Sequence, residues 1–477
     1  MMPIRACLFC SFFLFAFAGT SLFAQEGERE KQAEKGFRLS DTAIMNVHFT
    51  LAPEFESNIN NVSTRSYYED HRDSTNNYTH TETKDLVLHL SPGIRAKIDD
   101  KFKTLAMAFL INYNLYTGLD DKKSFEKLTT LSALHFDTDI LGEFNKDGNV
   151  VVRALNNLKR NSNLDVLTIE NGLHTNLLED FSLSVYIKNS EETLSLKLSS
   201  GIQLNYFEES LFSPYNFWSS RNNVYGQWKF LPKTAAFFNA SFTYQDYFNA
   251  DPVSRHDQRS MPLSVFVGVL GQITPKISLK LLGGYANSFS KEMHHDGLAG
   301  AEFVYKHSEN TLFTLGYLRS LSPVAIYQYY SMDKAYLGFT QKLLHSRLLL
   351  KFDASYSHLA YGKNVKYPLE NNPAQTRIDD NDTPNDASDD ITTVTTVTQK
   401  SVDREDHLIR IEPMVSYNIL HWLGISLKYS FETKQTPFYA ATRVTRSGGG
   451  VPPSDVSYHL YYDYMDHRVL LSLAADY

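Results

Sequence analysis

From about residue 44 onward, apolar and polar side chains alternate with a period of two, the spacing of a strand with one dry and one wet face. In 422–434, Leu423, Ile425, Leu427, Tyr429 and Phe431 make one face. Gly424, Ser426, Lys428, Ser430, Glu432 and Lys434 make the other. In 347–357, Leu348, Leu350, Phe352, Ala354 and Tyr356 oppose Arg347, Lys351, Asp353, Ser355 and Ser357. Residues 277–286 set Ile277, Leu279, Leu281, Gly283 and Tyr285 against Ser278, Lys280, Leu282 and Gly284. The pattern predicts strands near 45–57, 85–98, 102–116, 126–141, 149–159, 164–177, 181–207, 219–231, 234–247 and 261–273. It predicts others near 276–289, 298–307, 310–320, 326–342, 346–360, 404–419, 422–435 and 463–477. That is an all-β chain of about 18 strands, within a range of about 16–20, because the alternation is broken across 145–207.

The connections sort by length. Short ones fall at Asp99-Asp100, Pro232-Lys233, Pro275-Lys276, Glu309-Asn310, His345-Ser346 and His421-Trp422. Between them lie the longer polar segments 58–84, 117–125, 248–260, 290–297, 362–403 and 436–456. Tight turns on one side and long loops on the other are the habit of transmembrane antiparallel β-barrels, not of soluble sandwiches. Composition agrees: mean hydropathy is −0.32, yet 29 Tyr and 31 Phe load the chain with aromatics. A disordered chain would have few aromatics, and a helical membrane protein would need repeated long apolar runs.

One long apolar run stands at the N-terminus. Arg5, the Phe-rich stretch Leu8–Ala18 and Ser21-Leu22-Phe23-Ala24 read as a secretory signal over 1–24, removed after Ala24. Residues 25–43 then read as a short periplasmic tail, and 44–477 as a single barrel domain. Cys7 and Cys10 both lie in the signal, so the processed chain is expected to hold no disulfide and no thiolate. Net charge is −8, and loss of Arg5 makes the remainder one charge more acidic, which speaks against nucleic acid as a partner. Val469, Leu471, Leu473, Ala475 and Tyr477 share one face of the last strand. A terminal aromatic on such a strand resembles the signal read by the barrel-assembly machinery. Outer-membrane lipid is the other expected partner, in a Gram-negative cell.

Three strands carry a proline in similar settings: Thr50-Leu51-Ala52-Pro53-Glu54-Phe55, His89-Leu90-Ser91-Pro92-Gly93-Ile94 and Arg410-Ile411-Glu412-Pro413-Met414-Val415. An Asn-rich break with Asn58, Asn60 and Asn61 follows the first. This opening resembles the Gram-negative β-barrel porin family linked to exopolysaccharide export. The resemblance implies an outer-membrane channel working with a periplasmic polysaccharide-export protein, and it supplies no catalytic residues.

Alternation assigns a lumen-facing set: His89, Arg95, Lys97, Asn112, Asn114, Lys280, Arg347, Lys351, Asp353, Arg410, Glu412, Lys428 and Glu432. Mixed charge along a wide pore would pass an anionic polymer while holding each unit weakly. Any hydrated barrel is polar inside, however, and these groups would equally serve by pairing with one another. Asp379–Asp390 carries six carboxylates and invites Ca²⁺, but lacks the central Gly and final Glu of an EF-hand, so it reads as a solvated outer loop. His294-His295-Asp296-Gly297 is the one linear His cluster, in a predicted loop without a third zinc ligand. No catalytic residue, cofactor or metal is therefore expected. The leading expectation is passage of surface polysaccharide. A porin for small solutes and a surface adhesin or structural barrel with a closed lumen are the alternatives.

Overall fold

The computed structural model describes residues 36–58, 67–70, 78–79, 84–117, 134–164, 173–208, 213, 216–249, 259–289, 293–324, 328–362, 374–378, 391–399, 404–436, 439–447, 454–461 and 463–477. Expectations for the signal and for Asp379–Asp390 fall outside these residues. Among the described residues, eighteen antiparallel strands form a ring. They are β1 (Ala43–Glu56), β2 (Asp85–Asp99), β3 (Lys103–Tyr116), β4 (Leu134–Phe144), β5 (Val150–Leu164), β6 (Leu173–Lys188), β7 (Leu194–Phe207), β8 (Phe217–Leu231) and β9 (Thr234–Tyr247). The ring continues with β10 (Leu263–Thr274), β11 (Ile277–Asn287), β12 (His295–Ser308), β13 (Thr311–Val324), β14 (Gln328–Leu343), β15 (Leu348–Tyr361), β16 (Glu405–Asn418), β17 (Leu423–Gln435) and β18 (Tyr464–Asp476).

Each strand pairs with its neighbours in the chain, and β18 returns to β1 from His48↔Asp476 to Glu56↔Arg468. Reciprocal bonds between Val47 and Tyr477, at 2.8 and 3.0 Å, finish the seam. The short bridge Phe37–Arg38 doubles back on β1, and its Phe37 ring meets Tyr477 edge-on at 5.2 Å. Closure leaves no strand edge, which is what lets sheet backbone stand in hydrocarbon.

Exposed apolar side chains mark the outward faces of the strands. Phe49, Met107, Ile140, Leu198, Val267, Leu281, Leu315, Leu337, Leu427 and Leu471 mark a band around the ring. Aromatics flank it. Towards the turns, Tyr305, Phe313 and Phe339 form a cross-strand row with centroids 6.2 and 4.9 Å apart. Towards the loops stand Trp218 and Tyr244, 5.3 Å apart, with Tyr285 and Tyr356 in the outer halves of their strands. An even ring, an apolar outer band with two aromatic girdles, and sorted loops make this a β-barrel of the Gram-negative outer-membrane type.

Residues 145–207 hold the largest strand errors. The pattern puts a break at 178–180 and one strand over 181–207, whereas β6 runs through the break and a turn at 189–193 divides the long strand. Glu179-Asp180 looks like a loop, but Asp180 pairs with Arg221 on β8 and Glu179 accepts from Asn156 on β5. The true turn hides because Asn189 bonds its own loop and Glu192 adopts a left-handed backbone. The two errors cancel, so the count of eighteen stands. Strand 126–141 is shifted: β4 spans Leu134–Phe144. His295–Gly297 open β12 and are not loop, and Arg347 lies in the β14–β15 turn, not along the wall.

The tight turns are held locally. Asp100, between β2 and β3, accepts the N–H groups of Phe102 and Lys103 at 2.7 and 2.9 Å. Those two bonds hold its carboxyl below the usual carboxylate range. A depressed folded pKa means this turn is supported at neutral pH and loses that support as acid protonates Asp100. Strands from three outer loops pair in a second sheet, ordered 374–378, 391–399, 439–447, 454–461, 67–70 and 78–79. Ile391–Gln399 is one of the two longest strands of this loop sheet.

Glycines admit rings from the strand opposite. Phe237 lies across from Gly268, Phe266 from Gly284 and Tyr336 from Gly316. At Gly268 a Cβ would stand 2.4 Å from both the Leu281 carbonyl and Phe237 Cζ, whereas at Gly283 the one neighbour is 4.0 Å away. Gly268→Ala is therefore expected to destabilise the barrel by about 1–3 kcal/mol, the usual cost of overpacking. Gly283→Ala is expected to be near neutral, as read by guanidinium unfolding in detergent micelles. Equal effects of the two would refute the packing role.

Candidate functional site

The faces turned away from the apolar band line the inside of the ring, and their chemistry differs around it. Along β15–β18 and β1–β5 the wall is charged. At the seam, His48 Nδ1 lies 2.6 Å from Asp476 Oδ1, and Arg95 reaches the same carboxylate at 3.4 Å. Higher up, His89 joins Glu54 at 2.7 Å and the Asn114 side-chain oxygen at 2.8 Å. Arg468 pairs with Glu56 at 2.9 Å. These contacts follow from register: His48 is directly opposite Asp476, and Glu56 opposite Arg468.

The predicted pore residues are drawn into the same pattern. Lys97 pairs with Asp99 at 3.0 Å, Lys351 with Asp353 at 2.8 Å and Lys428 with Glu412 at 2.8 Å. Arg410 pairs with Glu432, which also accepts the Tyr464 hydroxyl. Lys280 faces Glu302 across the β11–β12 ladder and stands 5.7 Å over the Phe237 ring. Arg347 belongs to the turn, as noted above. Asn112 lies on β3 directly opposite His135, with no charged partner across the ladder. Alternation in the first and last strands marks His48, Glu54, Glu56, Asp466, Arg468 and Asp476 as well, but their charges are separated by Pro53 or by aliphatic positions and escaped notice. Arg153–Glu143 at 2.8 Å and Lys159–Asp137 at 3.0 Å were hidden by the misplaced fourth strand.

Opposite in the ring, β8–β13 carry an apolar cluster on the inner surface, set among polar pairs such as Asn223–Asn239 and Ser241–Ser264. Phe237, Phe266, Ala286, Leu298 and Leu321 form a buried cluster, with Tyr225, Leu270 and Leu282 packed against it. Phe237 and Phe266 meet edge-on at 6.3 Å, and Tyr225 stacks on Phe237 at 6.2 Å. Accessibility separates the cluster from the charged wall. The Phe237 and Phe266 residues are each 5% exposed, whereas the side chains of Arg95, Lys351 and Arg410 are 46–49% exposed. Water therefore reaches the charged wall.

Near the outer ends of the strands, the wall closes around polar groups. Asn58, Asp85, Asn176, Asn216, Asp406 and Asp466 are buried. Asp85 accepts the Thr117 hydroxyl at 2.7 Å, and the Asn176 amide donates to Asn205 at 2.7 Å. Arg404 binds Asp406 at 2.7 Å and lies 4.5 Å over the Tyr361 ring, with Lys434 3.5 Å from the same carboxylate. Buried charges held this way are costly to unpair. The three loops that supply the second sheet spring from this sector, joining β1 to β2, β15 to β16 and β17 to β18.

No protein-family model matches the chain, and no curated protein matches it by sequence. Solved barrels resemble it in form. The structure of Pseudomonas aeruginosa OpdK with vanillate shares 7% identity over 91% of this chain and 99% of its own, with a TM-score of 0.45. OpdO from the same organism gives 9% identity, 91% and 97% coverage and a TM-score of 0.41. Its siderophore receptor PirA gives 7% identity, 92% and 81% coverage and a TM-score of 0.43. The fold rests on the strand pairing described above and not on these likenesses.

Breaking one wall pair should leave its partner's charge exposed to the lumen. Lys428→Ala is expected to shift the reversal potential in a salt gradient towards cation preference, and Glu412→Gln towards anion preference. Planar-bilayer recording reads the sign, and like-signed shifts in the two variants would contradict a wall of balanced pairs.

Proposed function

We propose that the barrel is a passive outer-membrane channel for small polar or charged solutes. The observation that carries this reading is the charge-paired wall along β15–β18 and β1–β5, whose Arg95, Lys351 and Arg410 side chains are 46–49% exposed. Along it, each basic group already has a carboxylate within reach. A passing small ion can exchange with one partner at a time, which keeps every stop shallow, as conduction requires. A long anionic polymer would have to unpair many such groups together, at a cost that grows with each repeat.

Polysaccharide export, which the proline-bearing strands brought to mind, finds less support here. Pro53, Pro92 and Pro413 each coincide with a gap of two pairs in a ladder whose register is otherwise continuous: β1–β18, β2–β3 and β16–β17. Loss of the proline donor accounts for these gaps without invoking a transported polymer. An adhesive barrel with a closed lumen is the reading from a different class.

Single-channel recording of refolded protein, joined to liposome swelling, separates the three. Small, steady conductance and swelling with small charged or polar solutes, unaffected by added acidic polysaccharide, is the expected result. Block by polysaccharide but not by small solutes would return weight to export. A silent bilayer with no swelling would overturn the channel reading and favour the adhesin.

A further inference from the structure

We propose that His358, Glu405 and His407 form a binding site for one divalent transition-metal ion, with Zn²⁺ the ion it fits best. His358 on β15 is the direct cross-strand partner of His407 on β16, and the two imidazoles stack with centroids 4.9 Å apart. Glu405 precedes His407 by two residues, so the pleat sends both side chains to the same face. His358 Nε2 lies 3.5 Å from Glu405 Oε2, and one ligand atom from each of the three residues falls within 4.8 Å of the others. Two donors on one tetrahedral zinc stand roughly 3.4 Å apart. Small side-chain rotations therefore close the set without moving the ladder that fixes the Cα positions.

A fourth residue completes the argument. Tyr356, two positions before His358 on the same face, has its hydroxyl 2.8 Å from His407 Nδ1. Metal-bound histidines characteristically have their second ring nitrogen engaged in this way, which sets tautomer and ring orientation. With Nδ1 engaged, Nε2 is the nitrogen left for the ion. Two imidazoles and one carboxylate select Zn²⁺, Cu²⁺ or Ni²⁺ over Mg²⁺ and Ca²⁺, which prefer all-oxygen shells. Three protein ligands leave a further position for water.

The site's place in the fold gives it a consequence. β15 and β16 are the two strands from which the 362–404 connection springs, and that connection supplies the strands 374–378 and 391–399 of the loop sheet. An ion bridging His358 to His407 and Glu405 would tie the two feet of this connection together. This is independent of what the lumen conducts.

Titration of chelator-treated, micelle-folded protein with Co²⁺ tests the site, because tetrahedral cobalt with nitrogen ligands absorbs visibly. The expected result is a visible band saturating at one ion per chain and displaced by Zn²⁺. It should be lost in His358→Ala/His407→Ala and kept in His294→Ala/His295→Ala. Tyr356→Phe is expected to keep the stoichiometry and weaken affinity by about tenfold or more. Heat-modifiable gel migration confirms that each variant is folded. Absence of the band in the unaltered protein, its survival in the His358→Ala/His407→Ala variant, or equal loss in the His294→Ala/His295→Ala variant would overturn the proposal.

Discussion

In hydrocarbon a backbone N–H or C=O without a partner costs several kcal/mol, and water is not there to supply one. A sheet can meet that demand at every strand only by returning to its own beginning. In this chain the return is made by β1 and β18, whose paired residues lie more than 400 positions apart in sequence. The rest of the architecture follows from closing that ring. Ring closure forces the alternation of lipid-facing and inward-facing side chains, and it gives the seam its charged pairs, because residues brought opposite by the last ladder also meet on the inner face. His48 and Asp476 serve the backbone and the lumen in one act.

Much of this was readable in the chain. Long regular strands such as β15, β17 and β18 declare themselves because Leu, Ile and aromatic residues fall on strictly alternate positions. The loop asymmetry is equally legible, since Pro-Lys and Asp-Asp turns are short and chemically distinct. The misreadings have a common origin. Glu179-Asp180 resembles a loop because single-residue chemistry cannot show that Arg221 waits two strands away. Asn189–Thr193 resembles strand because its turn is made by backbone conformation and an Asn side chain, without Gly or Pro. Neighbours that decide a residue's fate are one or two strands distant, and a linear pattern does not contain them.

The inner wall shows the same limit from the other side. Alternation puts Arg410, Glu412, Lys428 and Glu432 on the face opposite Ile411, Leu427 and Phe431, yet it is silent on whether they stand open or paired. Register answers that, because Arg410 is opposite Glu432. The placement of the charged pairs and of the apolar cluster is also invisible strand by strand. It emerges from the order of strands around the ring, where the Phe237–Phe266 cluster lies about half a turn from the His48–Asp476 seam. The metal-ligand set is a further case. His358 and His407 are far apart in the chain, so only the ladder makes them neighbours.

The three proline gaps lie between β16 and β17, β18 and β1, and β2 and β3, all within six consecutive strands. A ladder resists bending in proportion to the bonds that tie adjacent strands, so a stretch with missing rungs yields more readily to stress from the bilayer. The opposite arc keeps its rungs through this span and is buttressed within by packed rings. The cross-section is thus no uniform hoop. The missing rungs gather in one arc, so resistance to lateral pressure from the membrane differs around the ring.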